Sequence, residues 1–409
     1  MTDLKSTLSR LYALVPRGRR LGLEAMQEAC ARFNHPERSF QVVHVAGTNG
    51  KGTVCAFVAA MAQAANLRVG RYTSPHLTRF AERITINGAE IEEATLVRLL
   101  NEVLDHAPDL TFFEVATLTA FLAFREASVE LAVLEVGLGG RLDATNVVPP
   151  PRACAITRIA FDHMQELGES LAQIAAEKAG IIKPGSAVVL GKLHPEAQAV
   201  IDQRIAEVGA RRVPLGSPEP ISGAPLAYPR IAMLGSNLAV ATTIGRELGF
   251  PPDAMARGIE ATSWPGRNEL LHRNGQDLTL LDTAHNPDGA VALSHMLDPS
   301  VLGEVESRRD IALVFGAIET KNWRAMLARL DHVAGHRFFV APPVRSAVDP
   351  RQIAEAVSGE VATDIADALT RARERVGPHG VVVVTGSTFL VGAARALLLG
   401  LPSDPAVDM

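Results

Sequence analysis

Short apolar runs alternate along the chain with stretches of helical period. QVVHVAG (41–47) reads as a strand, and an Ala-rich helical segment follows it to about Leu67. LRVGRYTS (67–74), LAVLEVG (131–137), ACAITRI (153–159) and SAVVLG (186–191) repeat the strand pattern, with helical segments such as ATLTAFLAFREA (116–127) between them. Strands that read as near-continuous apolar runs are buried on both faces, and helices between them argue for a parallel α/β sheet. The pattern restarts late with LTLLDTAHN (278–286), DIALVFG (310–316), RFFVAPP (337–343) and GVVVVTGS (380–387), which predicts a second α/β domain. Pro and Gly interrupt the pattern at SWPGRNE (263–269), so the boundary is expected there, giving domains 1–265 and 266–409. The Pro- and Gly-rich stretch 213–230 reads as a surface excursion of the first domain.

Composition narrows the class. At roughly 150 residues per domain, 409 residues suggest two or three domains. With 47% apolar residues the chain can bury large cores. A net charge of −5 with only 5% aromatic residues argues against nucleic acid as a partner. Cys30, Cys55 and Cys154 are far apart and suggest neither a disulfide framework nor a metal site. The N-terminal stretch does not read as a signal peptide, and no run approaches 18 uninterrupted apolar residues. The expectation is a cytoplasmic monomer acting on small molecules, away from membranes.

The candidate chemistry sits where strands end. HVAGTNGKGT (44–53) joins a strand to a helix through a glycine-rich turn with Lys51 inside it. Backbone N–H groups at such a turn, aimed with a helix N-terminus, form an anion site, and Lys51 can neutralise phosphate oxygens. The usual phosphate loop has Lys followed at once by Ser or Thr; here Gly52 intervenes and the hydroxyl comes at Thr53. Glu135 is the lone acid of an apolar strand, and a buried carboxylate needs a partner or a metal. Ser74-Pro75-His76 and Asp162-His163 follow other strands of the same sheet, where ligands gather in open α/β folds. Lys178, by itself, reads as a solvated surface lysine. Arg267, Asp282, His285, Lys321 and Ser387 lie in loops of the second half and suggest a polar rim facing the first.

In this order, GTNGKGT, YTSPHLTRFAERI, TFFE, LEVGLGGRLDATN, DHMQELG, EKAGI, WPGR, DTAHNP, LVFGAIETKNW and GSTFLVG resemble the folylpolyglutamate synthase/dihydrofolate synthase family, relatives of the Mur peptide ligases. The resemblance implies an N-terminal P-loop-type ATPase domain with a mostly parallel sheet, and a smaller Rossmann-like C-terminal domain. It implies ATP-dependent ligation of L-glutamate to dihydropteroate and to reduced folates through an acyl phosphate. Under it, Gly47, Thr48, Asn49, Gly50, Lys51, Gly52 and Thr53 bind ATP, together with Asn237, Arg267 and Asp282. Ser74, Glu135 and His163 ligate two Mg²⁺ ions, and Lys178 matches the lysine that the family carries as N6-carboxylysine. Thr111, Phe112, Phe113 and Glu114, with Leu142, Asp143 and Ala144, match the dihydropteroate-binding segments of bifunctional members. Lys51, Lys178 and His285 are the catalytic candidates. Two departures stand out: only GSN (235–237) remains of a fuller family motif, and Thr320-Lys321-Asn322 replaces Asp-Lys-Asp. A ligase with one of the two activities and a non-catalytic nucleotide-binding regulator are the alternatives. For Asp143 and Phe113, the plainer alternatives are a turn cap and a core residue.

Overall fold

A computed structural model describes residues 3–18, 22–216, 230–273, 277–297 and 310–404. Most of the excursion expected over 213–230 therefore lies outside the described residues. The chain is a mixed α/β protein built on two sheets. The first contains β1 (Gln41–Ala46), β2 (Val69–Tyr72), β3 (Ile84–Ile86), β4 (Ala89–Glu90), β5 (Leu131–Glu135), β6 (Ala153–Ile156), β7 (Ala187–Leu190) and β8 (Arg211–Val213), in the order β4-β3-β2-β5-β1-β6-β7-β8. It is parallel from β2 to β8, and β3 and β4 extend it antiparallel at one edge. The second contains β9 (Glu269–Arg273), β10 (Asp277–Leu281), β11 (Ile311–Phe315), β12 (His336–Phe339), β13 (Glu360–Val361) and β14 (Val381–Thr385), in the order β13-β12-β11-β14-β10-β9. Only β9 runs antiparallel there, as the partner of β10.

The apolar runs read as strands form the sheet centres, as their two-sided burial requires. The helix Lys51–Ala64 is apolar around most of its circumference because it is covered on several sides. Val54, Phe57, Val58 and Met61 pack with β1 and β5 and with the helices Arg230–Glu247 and Pro252–Ala261. The helix read over 116–127 begins earlier, at Phe112. There a capping box forms: Glu114 Oε2 accepts from the Thr111 N–H at 2.7 Å, and the Thr111 hydroxyl accepts from the Glu114 N–H. Strands β3, β4, β8, β9 and β13 were not expected. They are two to five residues long and sit at or near sheet edges, where a strand needs no apolar run. Among the described residues no helix is long and apolar enough to cross a membrane.

The carboxyl ends of β1, β2, β5 and β6 meet at one edge of the first sheet. Register places Val45 beside both Glu135 and Ala155, so the glycine loop after β1 leaves the sheet level with Glu135. The loop after β2 reaches across to the second half, where Leu77 packs against the core formed by Leu281, Leu390 and Val391.

Candidate active site

The turn after β1 is a cradle whose two positive-φ positions are glycines. Gly47 and Gly50 have φ of +153° and +87°. A Cβ on Gly50 would lie 2.4 Å from Asn237 Oδ1, which puts Asn237 directly against the loop. Lys51 opens the following helix and folds its amine back, donating to the carbonyls of Gly47 and Thr48 at 3.2 Å each. The Thr48 hydroxyl accepts from Ala160 N and donates to Ala160 O, both at 3.1 Å. The Thr157 hydroxyl donates to Asn49 O at 2.7 Å. The loop after β6 thus holds the cradle in shape, and Thr53 is buried one turn into the helix.

Glu135 ends β5 with its carboxylate almost fully buried. It accepts from Ser74 N at 3.1 Å and stands 4.0 Å from the Lys51 amine. Burial raises its pKa, opposed by Lys51, the Ser74 N–H, Arg267 and Arg71. One N–H and a distant amine leave a buried carboxylate under-satisfied. That fits a hard divalent cation sharing phosphate oxygens. Among the described residues no group of three or more His, Cys, Asp or Glu is arranged as a metal cage. Ser74 meets Glu135, but His163 makes its contacts elsewhere: Nε2 lies 3.3 Å from the Lys321 amine and 3.9 Å from Asp162.

Lys178 corrects the sequence reading. It is 4% exposed, not solvated. On the helix Leu171–Ala179 it stands four residues from the core residue Ile174, on the same face, and its amine donates to Gly47 O at 3.1 Å. Burial, then the nearby Lys51 charge, lower its pKa to about 7. A large fraction of this amine is therefore neutral, as reaction with CO₂ to form a carbamate requires.

The two halves meet over the cradle. Asn49 and Asn286 exchange hydrogen bonds through their side-chain amides at 3.0 Å in each direction. Asn49 also donates to Asp288 at 2.8 Å, and Arg158 pairs with Asp288 at 2.6 Å. Asp162 accepts from Asn286 at 3.0 Å and from Lys321 at 2.7 Å. Burial would raise the Asp162 pKa, but Lys321, His163 and His285 together hold it well below the usual carboxylate range. His285 donates Nδ1–H to Thr283 O at 2.9 Å, which leaves Nε2 as a bare acceptor 3.7 Å from Asp162. Burial keeps this imidazole neutral, with its pKa pushed down to about 3. Asp282 is buried and accepts from the N–H groups of Asn268 and Ala284. Ser387 caps the helix Thr388–Leu399. Sequence reasoning missed Asn286, Asp288 and Arg158; the one available signal was the Asn-Pro-Asp run after His285, a helix start aimed at the junction.

The segments matched to dihydropteroate binding hold several internal contacts. Thr111 and Glu114 form the capping box, and Phe112 is core, beside Tyr12 and Phe80. Phe113 is half-buried against Tyr72, with its ring edge over Gly137. Leu142 is half-buried and Ala144 buried. Asp143 is saturated by its own loop: Oδ2 accepts from Gly137 N (3.0 Å) and Leu138 N (2.9 Å), and Oδ1 accepts from Thr145 N (3.0 Å) and the Thr145 hydroxyl (2.5 Å). That hydroxyl has one proton, given to Asp143, so His44 Nε2–H must be the donor in its 2.8 Å bond to Thr145 Oγ1.

Residues 45–207 match the Mur ligase middle domain, and residues 266–388 match the Mur ligase glutamate ligase domain. The dihydrofolate synthase/folylpolyglutamate synthase of Bacillus subtilis (strain 168) is 31% identical over 435 residues, spanning 97% of this chain and 99% of that protein. Two solved structures superpose with a TM-score of 0.86, each covering 98% of both chains. One is E. coli FolC in complex with DHPP and ADP, at 28% identity. The other is the bifunctional folylpolyglutamate synthase/dihydrofolate synthase of Yersinia pestis complexed with AMPPNP and Mn ion, at 32% identity.

Proposed function

The chain belongs to the dihydrofolate synthase/folylpolyglutamate synthase family of Mur ligases, and from that premise we propose that it is an ATP-dependent ligase adding L-glutamate to dihydropteroate and to reduced folates. The observation that carries this reading is the glycine cradle with Lys51, level with the buried Glu135 and bonded over its open corner by the second half. That second half matches a glutamate ligase domain.

In the proposed reaction the acceptor's carboxylate oxygen attacks the γ-phosphorus of ATP, the bond to the β-phosphate oxygen breaks, and ADP leaves. The amine of L-glutamate then attacks the acyl carbon, phosphate departs, and the amine loses a proton as the amide forms. Two anions must approach in the first step, so positive charge has to be in place beforehand. The Gly50, Gly52 and Thr53 N–H groups and the Lys51 amine supply it, with Arg267 and Asn237 on the nucleotide. Glu135 and Ser74, with His163, are the residues that would hold divalent metal, which when bound neutralises phosphate charge. We assign Mg²⁺ to that role and two ions to the site. Lys178 is our candidate for carbamylation, since its amine is buried, partly neutral and beside the cradle. His285, neutral with Nε2 bare, is our candidate to receive the proton of the incoming amine. Phe113 and Ala144 are our candidates for the pterin wall. We take the working unit to be a monomer with domains 1–265 and 266–409.

The test is ADP release and product mass with glutamate plus dihydropteroate, then with glutamate plus tetrahydrofolate. Activity on both supports the bifunctional reading, and activity on one reduces it to a single-activity ligase. ATP binding without turnover on either leaves the regulator.

A further inference from the structure

A cleft of about 590 Å³ on the β2 side of the cradle contains a cation that the reaction above does not use. Arg71 of β2 lines it beside Gly52, Glu135 and Trp264. Its guanidinium carbon lies 4.9 Å from the centre of the Trp264 ring, and its Nε is buried with no hydrogen-bond partner. Of the other arginines lining the cleft, Arg79 pairs with Glu90, Arg395 pairs with Glu269 at 2.9 Å, and Arg267 is the one assigned above to the nucleotide. Among the described residues no carboxylate lies within ion-pair distance of Arg71; Glu135 and Glu90 act on it only through their field. Glu135 is nearer to the Lys51 amine, at 4.0 Å, and Arg71 acts on it only through its field. A guanidinium stays charged even when burial lowers its pKa, and a buried N–H without an acceptor, as at Nε, is costly. An anion arriving in the cleft would remove that cost.

Trp264 fixes where such an anion would sit. Its Cζ2 would lie 2.5 Å from a Cβ on Gly52, so the indole rests against the phosphate cradle, and Arg71 covers the indole. The guanidinium is thus one ring away from the cradle. Dihydropteroate has a single carboxylate, which must go to the phosphate. A folate ends in a glutamyl residue with two, and one is left over.

Resting on the ligase reading above, we propose that Arg71 binds the non-reacting carboxylate of the acceptor's terminal glutamyl residue and sets the preference for glutamylated acceptors over dihydropteroate. Guanidinium and carboxylate match geometrically, and one such charge-assisted contact corresponds to about 10- to 100-fold in binding.

The test uses the full-length enzyme, Arg71→Leu and Arg71→Lys, with three acceptors: dihydropteroate, tetrahydrofolate, and tetrahydropteroyl-4-aminobutyrate, which keeps the chain-end carboxylate and lacks the other. The wild type should show a KM about 10- to 100-fold lower for tetrahydrofolate than for the analogue. Arg71→Leu should erase that gap, and its loss on tetrahydrofolate should exceed its loss on dihydropteroate at least tenfold. Arg71→Lys should restore part of the gap. Equal losses of Arg71→Leu on all three acceptors, or none, overturn the assignment. If melting shows that Arg71→Leu is unfolded, the wild type and Arg71→Lys still decide: a wild type that treats the two folates alike overturns it. A wild type inert toward every acceptor would end the ligase reading and this proposal with it.

Discussion

Replacing Asp143 with Asn swaps one oxygen for an amide nitrogen at nearly constant volume. In the folded protein both carboxylate oxygens are occupied, each by two donors. The new NH₂ turns to the side where it costs least, toward Thr145, because that hydroxyl can rotate to accept from it and donate to His44 Nε2 in the other tautomer, whereas the Gly137 and Leu138 N–H groups have no such freedom. The Thr145 N–H then loses its acceptor, and a buried donor left without one costs about 1–3 kcal/mol. At roughly 2–4 °C per kcal/mol for a unit of this size, the melting temperature should fall by about 2 °C or more. The loop that shifts carries Leu142 and Ala144 and passes over Phe113, so the KM for dihydropteroate should rise with the fall in melting temperature. A fluorescence melt and initial rates on the same preparation read both. A raised KM with an unchanged melt would refute the reasoning, and Asp143 would then bond the substrate and not its own loop.

Lys51→Ala should cost about 10²–10³ in rate, the usual loss for one preorganised electrostatic contact; near-normal turnover would remove Lys51 from the phosphate site. Glu135→Gln should raise the divalent-metal concentration needed for half-maximal rate, and an unchanged titration curve would move the metal elsewhere. His44 is neutral when folded, its pKa pushed down to about 3 by burial and then by Lys183, against about 6.5 unfolded. The unfolded chain therefore takes up a proton that the folded chain refuses, so stability is intact above pH 6.5 and falls by up to about 1.4 kcal/mol per unit as pH drops from 6.5 toward 3. His44→Gln should flatten melting temperature against pH in that window, and an undiminished slope would assign the acid sensitivity to other groups.

The parallel core was legible because two-sided burial writes itself into the sequence as unbroken apolar runs, as in LAVLE and VVVVT. Short edge strands carry no such mark. Gln41–Ala46 reads as a strand from its side chains alone, whereas Ala89–Glu90 is a strand only because β3 lies beside it. The glycine turn after β1 was legible for a local reason: glycine at positive φ and a lysine at a helix start lie within seven residues. Lys178 was not. Its burial depends on the carbonyl of Gly47, 131 positions away, and nothing in AAEKAG carries that information. Asn286 and Asp288 were missed for the same reason, because their partners Asn49 and Arg158 belong to the other half. The partner set of Asp143 likewise emerges only once the backbone turns Gly137 and Leu138 toward it.

The amide exchange between Asn49 and Asn286 bears on how ligands of the two halves sense each other. Asn49 belongs to the glycine cradle after β1, and Asn286 caps the helix that follows His285. Those hydrogen bonds join the cradle to the start of that helix, so a ligand that breaks them at one end breaks them at the other. Any coupling of this kind is reciprocal by thermodynamic necessity: the factor by which a ligand at the cradle changes affinity at the helix is the factor by which a ligand at the helix changes affinity at the cradle. An order of substrate addition observed for this enzyme would then describe its kinetics, while its affinities would obey one shared coupling constant.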